Sequence, residues 1–362
     1  MTLPDSSGGP IAPSARAHRI VLGLGLAVAF GTGLYGAAWT YMAERFADGV
    51  RAFIAAHPGE GIAFAYAGIA LGGFPFRLEA QALAPSATVA FKDRTWIWRP
   101  ERATFSARPW SVDRVTLDLS GAHAVSPADA SGLVRWTATA REFALEARIS
   151  SANVSALALR ADAIRVHGYF VEKDITLGRL RIDWRPISVS PRDPSPDRAR
   201  PSQHFELLAE VFRPPHTIRL PLGDEIARVA VVGEVRGPLV PGGGRDALGR
   251  WRDDGGTVEL SRIEGRWGAL ALAGEGTLAL DRDLQPVGAF TARIEGYSET
   301  VDALRATGAV SGGNALAAKM ALTALARRDE GGRPYLTLPV SIQDRRLYVG
   351  PVQLLTAPAI PW

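Results

Sequence analysis

The side chains that most often carry chemistry occur in this chain, but not in the spacings that chemistry needs. Six histidines stand at His18, His57, His123, His167, His204 and His216, and none belongs to an H-E-x-x-H pair that would set two imidazoles on one helix face for a metal. Each reads as an ordinary surface or strand residue. There is no cysteine, which excludes disulfides, thiol catalysis, thiolate metal sites and a cysteine-linked lipid in one step. Neither a Gly-x-Ser-x-Gly nucleophile elbow nor a Walker loop occurs. Asp281-Arg282-Asp283 begins as a calcium loop does but lacks the glycine and the distal glutamate, so it reads as a turn. Asp253 and Asp254 lie in a glycine-rich stretch and read as solvated. Gly31-Thr-Gly-Leu-Tyr-Gly36 matches the dinucleotide fingerprint in letters only, because no strand precedes it. The expectation is a non-enzyme without cofactor or metal. An exported hydrolase is the enzymatic alternative, and it lacks an activated nucleophile. What stands out instead is aromatic. Among nine tryptophans, Trp96 and Trp98 share one face of a predicted strand, and with Trp184 they are candidates to line an apolar groove.

Position comes from the run Ile20 to Ala43, with 24 residues and no formal charge between Arg19 and Glu44. About 20 apolar residues suffice to cross a bilayer as a helix. Arg16, His18 and Arg19 precede the run, whereas Glu44, Arg45 and Asp48 beyond it balance to one net negative charge. The positive-inside bias therefore predicts a cytoplasmic tail over 1–19, a transmembrane anchor over 20–43 in the inner membrane, and a periplasmic body over 44–362. A cleaved signal peptide is the rival, since Gly36 and Ala38 are small enough to flank a cut. The run continues directly into a helical pattern, which favours a retained anchor with Trp39 and Tyr41 at the outer interface. The net charge is only +4, with three lysines (Lys92, Lys173, Lys319) and arginines spread along the chain. No basic tract suggests nucleic acid.

The body is patterned for sheet. Phe46, Val50, Phe53 and Ile54 recur at helical spacing and predict an amphipathic continuation of the anchor as far as Pro58-Gly59. Ile62, Phe64 and Tyr66 then alternate, followed by Gly72-Gly73-Phe74-Pro75-Phe76-Arg77-Leu78, where glycine and proline break a ladder and the phenylalanines are expected to pack back as a structural motif, a contact site for a partner or lipid being the alternative. Val115, Leu117 and Leu119; Phe143, Leu145, Ala147 and Ile149; Leu180, Ile182 and Trp184; and Phe205, Leu207, Ala209 and Val211 alternate with polar residues, as half-buried antiparallel strands do. Pro186 to Gln203 is a proline-rich loop dividing candidate halves 44–185 and 204–362, and Gly237 to Gly256 reads as a polar insertion without a core. The last third repeats short apolar runs between turns, a β-meander. Two short helices interrupt it: one opening at Ser298-Glu299 and ended by Gly308, the other capped by Asn314 and carrying Leu316, Met320 and Leu325. The predicted fold class is mainly β, a β-rich α+β protein of extended, curled antiparallel sheets with an N-terminal transmembrane helix and two short C-terminal helices.

Two stretches carry a resemblance. The anchor followed by Gly72-Gly-Phe-Pro-Phe-Arg-Leu78, with the C-terminal Leu338-Pro-Val-Ser-Ile-Gln-Asp344 and Gly350-Pro351 hairpin, resembles an alphaproteobacterial cell-envelope family of unknown function. Asp344-Arg345 stands where that family has Asp-Gly. More distantly the pattern resembles AsmA-like envelope proteins, and this implies an apolar groove associated with lipid. The expected partners are thus the membrane and a lipid or other apolar envelope component. A structural or assembly factor that docks other envelope proteins is the alternative.

Overall fold

A computed structural model of the chain describes the backbone of residues 15–56, 62–91, 94–129, 136–150, 153–168, 174–187, 200–215, 220–239, 244–308, 311–350 and 352–360. The predicted helix stop at Pro58-Gly59, the residues His57 and His216, and most of the proline-rich loop lie outside them.

The first strands are long and bent. β1 (Ile62–Ala65) leads into β2 (Gly68–Gly72), β3 (Leu78–Leu83) into β4 (Ser86–Phe91), β5 (Arg94–Pro100) into β6 (Ala103–Arg108), β7 (Ser111–Asp118) into β8 (Gly121–Pro127), and β9 (Trp136–Ala140) into β10 (Glu142–Ser150), with one or two residues between the members of each pair. The ladders follow the same order on both sides of the bends: β2, β3, β6, β7 and β10 pair in succession on one side, and β1, β4, β5, β8 and β9 on the other. Five bent strands therefore make one antiparallel meander.

β11 (Asn153–Gly168) receives β10 along its first part and β9 along its last. From it the meander continues through β12 (Ile175–Pro186), β13 (Pro201–Arg213), β14 (Ile226–Arg236), β15 (Thr257–Trp267), β16 (Leu270–Leu280) and β17 (Pro286–Glu295). β18 (Arg327–Arg328) is a short strand paired with β19 (Pro334–Gln343), which also takes β17, and β20 (Arg346–Val349) and β21 (Val352–Thr356) close the sheet. Because β12 and β13 pair from Thr176↔Arg213 to Pro186↔Gln203, one sheet runs through the boundary between the candidate halves.

The bends line up as a crease. Ala84, Ala163 and Val211 take φ of 48°, 52° and 57°. Ala163 and Gly178 both fall out of the ladder, which passes from Asp162↔Arg179 to Ile164↔Leu177, and Val211 drops out in the same way between Glu210 and Phe212. Left-handed backbone at an alanine or valine costs about 1–2 kcal/mol and persists where neighbours over-determine it. One alternation shifts in consequence: Val211, expected on the apolar face, is exposed, and Phe212 takes the paired position.

Register also decides the two faces. Leu117, Leu145, Leu159, Ile182, Leu207, Val231 and Ile263 are paired neighbour to neighbour across seven strands. A second row runs Ala147, Leu157, Trp184, Phe205 and Gly233. At Gly233 an added Cβ would lie 2.8 Å from the Phe205 ring, so the glycine lets that ring cross the face. The opposite face carries a chain of ion pairs over β11 to β15: Arg181 to Asp162 at 2.9 Å, Arg179 to Asp162 at 3.6 Å and to Glu210 at 2.8 Å, then Arg228 to Glu210 at 2.8 Å and to Glu264 at 3.3 Å. The Arg181 hydrogen bond, with Arg179 nearby, holds the Asp162 carboxyl below its ordinary range against the opposing effect of burial.

Four helices complete the described structure. α1 (Ala15–Ala56) is continuous. Its side chains are described from Leu24 onward, and those from Leu24 to Tyr35 are exposed, whereas Trp39, Ala43, Ala47 and Val50 are buried. Among the described residues no helix is long and apolar enough to cross a membrane; Ile20 to Gly23 of the expected span, with Arg16, His18 and Arg19, lie outside the described side chains. α2 (Gly244–Asp253) corrects the reading of Gly237–Gly256 as an insertion without a core: Ala247 and Trp251 are buried, and the Trp251 indole donates to the Arg236 carbonyl at 2.8 Å. α3 (Tyr297–Ala306) and α4 (Gly312–Leu325) are the two expected C-terminal helices. Ser311, not Asn314, is the N-cap of α4, its carbonyl accepting from the Ala315 amide at 2.8 Å; serine is as favourable at that position as asparagine.

Candidate apolar binding site

The site is built where α1 enters the creased sheet. β3 turns Leu78, Ala80 and Ala82 inward, and the small residues Ala43 and Ala47 let the helix lie close against them. Trp39 and Ala43 cluster with Leu78, and Ala47 and Val50 with Ala80. Farther along, the sheet folds over at its crease and the helix no longer fills the space. Two cavities remain. One, of about 290 Å³, lies between Phe53 and Ile54 of α1 and Tyr66, Trp98, Phe105 and Leu119. The other, of about 360 Å³, lies between Phe46 and Val50 and the β7, β10 and β11 residues Val115, Leu145 and Leu157. Phe53, Phe105 and Leu117 line both. These volumes sit near the lower end of small-molecule sites, about 300–1,000 Å³.

Polar groups are few and peripheral. The first cavity has no charged residue in its lining and the second has one, Arg45. Arg45 is exposed, donates through Nε to the Tyr41 hydroxyl at 3.2 Å, and lies 5.5 Å from the centre of that ring. Beside the first cavity the Trp98 indole donates to His123 Nδ1 at 3.3 Å, the two rings stack at 5.8 Å, and Phe143 meets His123 edge-on at 5.7 Å. His123 is buried, and this burial pushes its pKa down against the Leu119 carbonyl and the Glu101 charge. Neutral His123 is thus an acceptor that orients Trp98. Among the described residues no group of histidine and carboxylate side chains is placed to hold a metal. The arrangement can sequester apolar surface.

The predicted groove residues separate. Trp98 lines the first cavity. Trp96, two residues earlier on β5, is half-buried between Val89 and Pro127. Trp184 lies one strand beyond the second cavity, opposite Leu157, with its indole donating to Gln203 at 3.0 Å. Phe105 carries no distinguishing signal in the sequence, and the alternation around Leu117 and Leu145 indicates only an apolar face.

The motif at Gly72–Arg77 forms the β2–β3 hairpin tip. Gly73 has φ 92° and an added Cβ would lie 2.8 Å from the Arg77 carbonyl, so glycine is required there. The Arg77 amide closes the tip onto the Gly73 carbonyl at 2.8 Å. Tyr35 donates to the Pro75 carbonyl at 2.5 Å, the Trp39 indole donates to the Arg77 carbonyl at 2.9 Å, and Phe74 packs edge-on to Trp39 at 5.3 Å. Of the two phenylalanines expected to pack back, Phe74 rests against Trp39 while 54% exposed, and Phe76 is 68% exposed. Phe76 lies in the turn before β3, and the ladder with β6 begins only at Leu78 opposite Ala107.

These features define a class: an antiparallel β-meander folded over one N-terminal helix, with apolar cavities held between the two. The chain belongs to a bacterial family, DUF2125, described as an uncharacterised protein conserved in bacteria, whose model matches residues 39–358. The match begins at Trp39, the first buried residue among the described side chains of α1. No curated protein matches the chain, and no solved structure does.

Proposed function

We propose that this is a membrane-anchored periplasmic protein, without catalytic activity, that binds a lipid or another apolar envelope component beside α1. The observation that carries the reading is the pair of apolar cavities sharing Phe53, Phe105 and Leu117, with Arg45 as the single charge on their linings. Open apolar space of that kind favours an apolar occupant, because each buried CH₂ contributes about 0.8 kcal/mol. The anchor is supported by α1 itself: Leu24, Leu26, Val28, Phe30 and Leu34 are all exposed, an arrangement that leaves a helix apolar all round without protein to cover it. The likeness to an alphaproteobacterial envelope family, and more distantly to AsmA-like proteins, agrees with this reading.

The test is uptake of an apolar fluorescent probe and native mass spectrometry on the full chain in mild detergent, with Ala147→Phe as a variant that fills the second cavity. Probe uptake that falls in this variant, together with co-purified lipid mass, is expected. Empty protein with no probe response would refute the reading.

A second reading, an assembly factor docking other envelope proteins, draws on α4, whose Leu316, Met320 and Leu325 are exposed. Crosslinking in membranes should then recover a defined protein partner that is lost in Met320→Glu, and a chain recovered alone would sink that reading.

A further inference from the structure

The geometry points to a second membrane contact beside α1: the hairpin tips at Phe74–Arg77 and at Trp110 form one aromatic rim that rests in the headgroup region of a lipid bilayer. This rests on the anchor reading above and adds to it a surface of the folded body.

Register places the two tips together. Leu78 pairs with Ala107, and Arg108 with Ser111, so the β2–β3 tip and the β6–β7 tip are neighbours at the same end of the sheet. Each presents an uncovered aromatic ring. Phe76 is 68% and Trp110 64% exposed, with Val112 exposed beside Trp110. Each also carries an exposed cation, Arg77 and Arg108, and the Arg77 guanidinium lies 3.9 Å from the Glu79 carboxylate. Aromatic rings with arginine between them suit the boundary where acyl chains meet anionic headgroups.

The occupant follows from α1. The β2–β3 tip grips the helix at Tyr35 and Trp39 through the hydrogen bonds to Pro75 and Arg77. Immediately N-terminal to that grip the exposed apolar stretch Leu24–Leu34 begins. At 1.5 Å of rise per residue, about the value for any α-helix, Tyr35 lies next to the end of that stretch along the helix axis. Lipid covering the helix up to Leu34 reaches the aromatic rim without a gap. The second cavity also opens near this end, since Val112 and Val154 belong to its lining.

The chain has no cysteine, so single labels are unambiguous. Val28→Cys, Phe76→Cys, Trp110→Cys and Asp129→Cys would each be made in the full chain, labelled with the polarity-sensitive fluorophore NBD, and reconstituted into vesicles of phosphatidylcholine and phosphatidylglycerol. Asp129 is exposed just beyond β8, at the opposite end of the bent β7–β8 strand from Trp110. Labels at 76 and 110 should shift to the blue and be quenched by lipids spin-labelled near the headgroup. The label at 28 should be quenched by deep spin labels, and the label at 129 by neither. Labels at 76 and 110 as aqueous as the one at 129, with 28 in lipid, would overturn the rim while leaving the anchor standing. Lipid contact at 76 and 110 with an aqueous label at 28 would support the rim and overturn the anchor. All four labels aqueous would overturn both.

Discussion

Truncating Leu117 separates an open cavity from a packed core. Its side chain is half-buried, faces both cavities, and pairs across the ladder with Phe105 on one side and Leu145 on the other. Complete burial of a leucine contributes about 1.5–3 kcal/mol. A leucine with cavity on two sides has already forgone part of that, so Leu117→Ala should cost only about 1–1.5 kcal/mol. A leucine packed on every side loses about 2.7–5 kcal/mol on the same change, because a new void adds to the transfer loss. Guanidinium unfolding of the purified chain measures the difference as a shift in midpoint. The same samples titrated with an apolar probe should bind it undiminished, since the variant joins two existing spaces more widely. A loss above about 3 kcal/mol with no probe bound by the parent would show the region to be closed and refute the reasoning.

Phe76→Ala should change stability by less than about 0.5 kcal/mol, as for other exposed positions; a drop of several degrees in melting temperature would place the ring in a core. Arg345→Gly should stabilise by about 1 kcal/mol, because the β19–β20 turn holds Asp344 at φ 49° and Arg345 at φ 61°; an unchanged unfolding midpoint would refute that. His123 has a lowered native pKa, so below the unfolded value of about 6.5 the unfolded chain binds a proton that the native state refuses. The His123 contribution is therefore complete above that pH and declines as pH falls towards the native pKa. Melting temperatures of the parent and of His123→Gln, which keeps an acceptor for Trp98, should diverge in slope between about pH 5 and pH 7; parallel curves would count against a buried neutral imidazole.

Much of the architecture was legible in local pattern. Alternation at Val115–Leu119, Phe143–Ile149 and Leu180–Trp184 marks one wet and one apolar face whatever the strands pair with, because side chains on a strand alternate sides. The helical spacing of Phe46, Val50, Phe53 and Ile54 likewise marks a face of α1 whatever it packs against. The crease was not legible, since nothing in the residue types at Ala84, Ala163 or Val211 asks for positive φ; the ladders on either side impose it. For the same reason the cavities could not be read from the chain: they are the space left where Phe53, Phe105 and Leu117, distant in sequence, meet across a folded sheet. Phe76 follows this rule in reverse. Its aromatic type indicates burial, but burial needs a neighbour, and Phe76 stands in the turn before the β3–β6 ladder starts at Leu78 opposite Ala107. Periodicity is a property of adjacent residues, whereas burial and empty space belong to surfaces brought together over long stretches of chain.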